Sequence, residues 1–203
     1  MKKIFTMLFM ALGIYSVTHA QTKNQTEFGV SFGVNSAYVT SNAQYGSSTD
    51  LTWNPNFAVS ADHFFTDQFS IKAKAIYDPK GWNGILTNGT KVITGVDYSL
   101  KYITVPVTFN LHFGNQNIWY IMGGPYVGFL LSAKESYYKN DLKSSFNSTD
   151  AGADLGFGVN LPLNKKLKIF FEYDGQFGLT NILANSSDGG QNMRSSANVG
   201  IRF

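Results

Sequence analysis

The amino-acid sequence predicts an all-β fold, an eight-stranded antiparallel up-and-down transmembrane β-barrel, on three observations. The first is residues 102–133, YITVPVTFNLHFGNQNIWYIMGGPYVGFLLSA, where two apolar-rich runs flank the turn formers Gly114-Asn115-Gln116-Asn117. Ile103, Val105, Val107, Phe109, Leu111 and Phe113 alternate with Tyr102, Thr104, Pro106, Thr108, Asn110 and His112. Beyond the turn, Trp119, Ile121, Val127, Phe129, Leu131 and Ala133 keep the bulky parity, so the stretch is a long β-hairpin. The opposite face is small and polar, with Thr104, Thr108, Asn110, Gly124, Gly128 and Ser132 where a soluble sheet turns Lys, Glu and Arg toward water. Each strand has about ten residues, enough to cross a bilayer when tilted. The bulky face is therefore assigned to lipid and the small face to a narrow lumen. The second observation is charge: only 14% of residues are Asp, Glu, Lys or Arg, against about 25% in soluble domains. The third is a regular alternation of long and short connections, for which a β-sandwich has no reason.

Residues 1–20 stand outside the fold. Lys2 and Lys3 precede an apolar run at 4–17, and Thr18-His19-Ala20 places small residues at the two recognised positions before Gln21. This is the pattern of a secretory signal peptide cut between Ala20 and Gln21, too short for a spanning helix of roughly 20 residues. Gln21 is not Cys, which excludes a lipoprotein anchor. Residues 21–203 then form one barrel domain. With no Cys there is neither a disulfide framework nor a Cys metal site. Of the formal net charge of +3, two units sit on Lys2 and Lys3, and nothing points to nucleic acid. No later stretch is long and apolar enough for a membrane helix, and only helices and closed barrels satisfy the backbone in lipid.

Eight strands follow in order. The first, 28–36, puts Phe28, Val30, Phe32 and Val34 outward; the second, 56–64, puts Phe57, Val59 and Ala61 outward. The third, 69–77, turns out Phe69, Ile71, Ala73, Ala75 and Tyr77. The fourth and fifth are the hairpin above. The sixth, 153–161, presents Leu155, Phe157, Val159 and Leu161; the seventh, 167–179, presents Leu167, Ile169, Phe171, Tyr173, Phe177 and Leu179. The eighth, 195–203, presents Ala197, Val199, Ile201 and Phe203. Long polar connections at 38–54, 78–97, 134–150 and 180–194 alternate with short turns at 65–68, 114–117 and 162–166. Membrane barrels have short periplasmic turns and long external loops, which places both termini in the periplasm. Phe69, Phe113, Trp119 and Phe203 fit a periplasmic aromatic girdle, and Tyr77, Trp82 and Tyr98 an external one. Pro106 and Pro125 fall nearly opposite each other and predict a local irregularity between the fourth and fifth strands.

Several stretches resemble one known family. Tyr102-Ile103-Thr104-Val105-Pro106-Val107 resembles the tyrosine, apolar, acidic, apolar, proline run of PorT-like outer-membrane β-barrel proteins, with Thr104 where the family often has an acid. The stretch from Gly124-Pro125-Tyr126 to Ser132-Ala133-Lys134 is similar to the family's glycine-proline strand. Tyr77-Asp78-Pro79-Lys80-Gly81 and Gly178-Leu179-Thr180-Asn181-Ile182 resemble its third- and seventh-strand exits. Phe203 resembles the terminal aromatic read by the barrel assembly machinery. The resemblance spans 27–203. It implies a small barrel in the outer membrane of a Gram-negative envelope, in contact with outer-membrane lipid, and in some relatives a role in protein secretion.

Charges recur on the inward face: Asp62, Asp154, Glu172 and Asp174 against Lys72, Lys74, Lys168 and Arg202. Pairing across the turn at 65–68 sets Asp62 opposite Lys72. Eight strands leave a lumen just wide enough for side chains, and buried charges need partners, so these residues are expected to form a closed polar core. His63 and His112, the two histidines beyond residue 20, lie beside short turns. A His at the periplasmic end is out of reach of outer-leaflet lipid, which weighs against a lipid-modifying enzyme, and two His on different hairpins make poor metal ligands. Gly156-Phe157-Gly158 has no following helix and makes no phosphate cradle. Neither catalytic residues nor a cofactor are assigned. The loop at 134–150 interleaves Lys134, Glu135, Lys139, Asp141 and Lys143 with Tyr137, Tyr138 and Phe146. Tyr137, Tyr138, Lys139 and Phe146 are its candidate contacts for an envelope or extracellular protein partner. The expectation is a non-enzymatic barrel acting through external loops or as one component of an envelope or secretion complex. The alternatives are a lipid-modifying enzyme and a soluble lipocalin-like carrier.

Overall fold

A computed structural model describes residues 24–40, 50–88, 90–164, 166–184 and 190–203, so the cleavage positions Ala20 and Gln21 lie outside the described residues. Eight antiparallel strands close into one barrel in chain order. They are β1 (Thr26–Thr40), β2 (Thr52–Phe64), β3 (Phe69–Asn88), β4 (Lys91–Phe113), β5 (Trp119–Glu135), β6 (Thr149–Pro162), β7 (Lys168–Gly178) and β8 (Gln191–Arg202). β1 seals the ring against β8, from Gly29↔Arg202 to Thr40↔Gln191. The short turns fall where expected, one of them a 3-10 turn at Asn115–Asn117 in which Gln116 takes φ 58°.

The outward face carries the lipid band: Phe28, Val30, Phe32 and Val34 of β1, Phe109 of β4, Phe157 of β6, Phe171 of β7 and Val199 of β8 are all exposed. An apolar exterior around a polar interior excludes the lipocalin-like carrier, whose faces would be reversed.

Three expectations need correction. The segment 78–97 is not a loop. It is the far end of β3 and β4, laddered from Asp78↔Tyr102 to Asn88↔Lys91 with one register shift at Gly84/Ile85. There the polarity of the two faces inverts. Along β4 the outward residues pass from Val105 and Ile103 to Lys101, Ser99 and Asp97, while the inward ones pass from Thr108 and Thr104 to Tyr102, Leu100, Tyr98 and Val96. Above the bilayer the wall faces water, so the ordinary soluble pattern returns.

Trp82 and Tyr98 are accordingly not girdle residues. They stack inside the barrel with ring centroids 4.8 Å apart, within an apolar cluster that includes Val39, Leu100, Tyr102 and Leu130.

Ala133 faces inward, not toward lipid. β4 pairs Tyr102 with Leu130 but Lys101 with Ser132, so Leu131 is an extra residue on β5. This bulge reverses the parity beyond it and buries Ala133 and Glu135.

The local irregularity expected at the two prolines is present, as a break in the ladder without a shift of register. Partners run to Pro106↔Tyr126 and resume in the same register at Phe109↔Gly123. In the interval the strands approach so closely that a Cβ on Gly124 would strike the Val107 carbonyl oxygen.

Candidate functional site: the occluded lumen and its external mouth

The lumen is filled by charge in three tiers. At the periplasmic end Arg202 Nη1 lies 2.9 Å from Asp62 Oδ2, and Lys168 pairs with Glu27 at the rim. Asn110 Nδ2 donates to Asp62 and to Ser70 Oγ, the latter at 3.1 Å. In the middle tier Glu172 accepts from Lys72, from Lys74 at 2.8 Å and from the Tyr120 hydroxyl at 2.6 Å. Asp174 accepts from Arg194 and from Asn198 Nδ2. Asp154 accepts from Gln176 Nε2 at 3.2 Å. In the upper tier Asp78 lies 2.9 Å from Arg194 Nε, and Lys80 Nζ reaches Asp150 at 3.0 Å. Lys80 also sits over the Tyr126 ring, 4.8 Å from its centroid.

All eight charges expected inside are inside, but their partners differ from expectation in one respect. Asp62 and Lys72 do face each other across the β2–β3 ladder, yet their ion pairs run elsewhere, Asp62 to Arg202 and Lys72 across the lumen to Glu172. Sequence reasoning missed Asp78, Lys80, Asp150 and Arg194, all placed in loops. Parity marks them: Asp78 and Lys80 continue the even-numbered inward face of Lys72 and Lys74, and Arg194 that of Arg202.

Above the charges lies the apolar cluster, and two loops fold over it. Phe146 of the β5–β6 loop bridges to Leu183 of the β7–β8 loop, and Asn147 N donates to the Ile182 carbonyl at 2.8 Å. Phe146, Ile182 and Leu183 are buried in the cluster. Phe146 is therefore not a surface contact; it belongs to the cap of the barrel, edge-on to Trp82 at 6.1 Å.

Tyr137 and Tyr138 are exposed at the external tip and meet edge to face, 4.7 Å apart. Lys139 stands beside them with φ 61°, and Lys91 of β4 reaches the Tyr137 hydroxyl at 3.4 Å. The tip is held by Glu135, beyond the lipid band. Its carboxylate accepts from the backbone N–H groups of Tyr137 (2.6 Å), Tyr138 (2.9 Å) and Asn140 (3.0 Å). Burial alone pushes the Glu135 carboxyl up, but these donors outweigh it and hold it below its usual range.

One nucleophile–base geometry occurs. Ser70 Oγ lies 3.1 Å from His112 Nε2, but both are buried and the imidazole is flanked by Phe64 at 5.0 Å and Tyr120 at 5.3 Å. Among the described residues His112 Nδ1 has no hydrogen-bond partner, so the pair lacks the hydrogen-bonded carboxylate that would orient a catalytic base. His63 meets Thr26 Oγ1 at 3.0 Å at the periplasmic rim. Among the described residues no cluster of three or more His, Cys, Asp or Glu is arranged to hold a metal ion.

A closed ring with a lipid-facing apolar band, short turns at one end and long excursions at the other defines an integral outer-membrane barrel. The chain belongs to the family described as outer membrane protein beta-barrel domain, whose model matches residues 19–184. No curated protein matches it in sequence. Among solved structures it is similar to Neisserial surface protein A, at 12% identity and TM-score 0.52 over 87% of this chain and 96% of that one. OprG from Pseudomonas aeruginosa is similar at 11% identity and TM-score 0.51, over 91% and 99% of the two chains. AlkL, solved in DMPC lipid bilayers, is similar at 9% identity and TM-score 0.50, over 94% and 95%. At these identities the likeness carries the fold alone.

Proposed function

We propose that this protein is a non-enzymatic barrel of the PorT-like kind that conducts no solute and acts through its external surface, as a contact site for a protein partner or as one component of an envelope complex. The observation that carries this reading is the doubly blocked lumen, with ion pairs through its membrane-embedded part and an apolar plug sealed by two loops above. A barrel so filled has its free chemistry outside. The ordered Tyr137–Tyr138 tip, with Lys91 and Lys139 beside it, offers aromatic area and positive charge to a partner. Export follows cleavage between Ala20 and Gln21. Two measurements test the reading. In planar bilayers the purified protein should give no large, stable single-channel currents. In cross-linking pull-downs from envelopes, Tyr137→Ala/Tyr138→Ala should lose the captured partner while heat-modifiable folding is kept. Steady currents overturn the closed lumen. Capture that survives the tip change but fails when the turns at 65–68 or 162–166 are altered moves the contact to the periplasmic side.

A further inference from the structure

Between β2 and β3 the barrel wall is interrupted. Their ladder ends at Phe57↔Tyr77, and the two chains next meet at the isolated bridge Asp50↔Asn83. In between, residues 52–56 stay paired to β1 and residues 78–82 to β4. Two residues of β3 account for the break. Pro79 has no N–H to give to β2. Gly81 takes φ 137°, and a Cβ there would strike the Tyr98 carbonyl oxygen, so β3 lies closer to β4 than any other residue would allow. From inside, Asn35 of β1 donates to the Pro79 carbonyl at 3.0 Å and holds β3 in this inward course.

The gap forms a cavity of about 520 Å³, within the size range of small-molecule sites. Asp50, Thr52, Trp53 and Asn54 line one side; Asn83, Asp97 and Ser99 line the other, with Lys80 at the inner end. Trp53 is 71% exposed and stands level with Ser36, just above Val34, the last aliphatic residue of the lipid band on β1. The mouth therefore opens sideways at the height of the outer-leaflet headgroups, where Trp is at home.

We propose that this niche binds a carbohydrate, one or two sugar units in size, and that the glycan reaches it either as the headgroup of an outer-leaflet glycolipid or as a free oligosaccharide. Sugar hydroxyls both donate and accept, and the lining alternates in the same way: carboxylates on Asp50 and Asp97 accept, and the Thr52, Asn54, Asn83 and Ser99 side chains both donate and accept. Asn83 Nδ2 fixes the Asp97 carboxylate with a 2.8 Å hydrogen bond. The Trp53 indole offers a flat apolar plate to the C–H face of a ring. The site is independent of the Tyr137–Tyr138 tip, and its failure would leave the proposed function intact.

The test is isothermal titration calorimetry on the full-length protein in detergent micelles. The probes are an intact short-sugar lipopolysaccharide and the core oligosaccharide released from it, with phosphatidylglycerol as the sugar-free anionic control. Asp97→Asn removes an acceptor charge, and Ser99→Phe fills the niche without touching a carboxylate; heat-modifiable mobility reports folding of both. Saturable binding of either sugar probe, at least tenfold weaker in both variants, is the expected result. Binding of both probes means that the niche takes free glycan, and binding of the intact glycolipid alone makes the lipid-anchored sugar the occupant. The proposal is overturned if neither probe binds saturably, if phosphatidylglycerol binds equally well, if both folded variants bind like the wild type, or if a lysine-rich peptide binds in preference to both sugars.

Discussion

Replacing Arg202 by Met removes the one cation, among the described residues, in ion-pair distance of Asp62. The pair is 2.9 Å long and each side chain is 1% exposed, so Asp62 would be left in the lumen with Asn110 Nδ2, 3.3 Å away, as its remaining partner. Breaking a buried ion pair from one side costs about 3–5 kcal/mol. The guanidinium also lies 5.2 Å from the Phe170 ring centre, and the loss of that contact falls within the same range. Met keeps most of the volume, so the cavity term is small. Removing the stranded charge as well, in Arg202→Met/Asp62→Leu, should recover most of the loss, giving a coupling energy of about 2 kcal/mol or more. Lys72→Met is the internal comparison. Glu172 keeps Lys74 at 2.8 Å and Tyr120 at 2.6 Å, so the cost should be about 1–3 kcal/mol, nearer that of a lost charged hydrogen bond. Urea unfolding in lipid vesicles, followed by heat-modifiable mobility and tryptophan emission, measures the wild type, these three variants and Asp62→Leu alone, which closes the cycle. An Arg202→Met variant within about 1 kcal/mol of wild type, or a coupling near zero, would refute pairwise charge closure of the lumen.

Trp82→Ala should cost about 3–5 kcal/mol, because the indole is fully buried against Tyr98 and Phe146; a girdle Trp facing solvent or lipid would cost far less in the same unfolding assay. The amide protons of Tyr137, Tyr138 and Asn140 should lose exchange protection at acid pH. With the folded Glu135 carboxyl held below its usual 4.5, its contribution is complete above that value and disappears as pH falls through the lower, folded one. Glu135→Gln should lower protection throughout and abolish the acid step. Intact-mass measurement of membrane-extracted protein should find a chain beginning at Gln21; one beginning at Met1 contradicts the leader reading.

Strand positions and facing were legible wherever the wall meets lipid, because the bulky outward parity is unbroken from Phe113 back to Ile103 and from Phe28 to Val34. Legibility failed where the solvent changes. Val96, Tyr98, Leu100 and Tyr102 alternate as cleanly as Thr104 and Thr108 do, but with apolar residues on the inward side, so a search for outward bulk starts the strand at Tyr102 and leaves Val96 in a loop. The bulge at Leu131 leaves no composition signal, since Leu, Ser and Ala suit either face. The Pro106–Pro125 region shows the reverse case: the missing N–H groups were visible in the sequence, but not that Gly124 lets the strands draw together and hold register.

The charge network teaches a related lesson. Its eight expected members were found by facing alone, and facing survives any error in strand ends. Partner choice does not follow from register, because side chains as long as Lys and Arg span the narrow lumen of eight strands. Asp62 and Lys72 are ladder neighbours on adjacent strands, yet each finds its partner on a strand it does not pair with, Asp62 on β8 beyond β1 and Lys72 across the lumen on β7. Crossing the lumen ties strands that share no backbone hydrogen bonds: Lys74 joins β3 to β7, and Arg194 joins β8 to β3. Each such bridge fixes the cross-section of the barrel, which ladder bonds between neighbours leave free to flatten. The same bridges occupy the space a solute would need, so rigidity and closure arise from one set of residues. A functional surface on this barrel is then the part these bridges leave alone, the external rim and the gap in the wall beside Pro79.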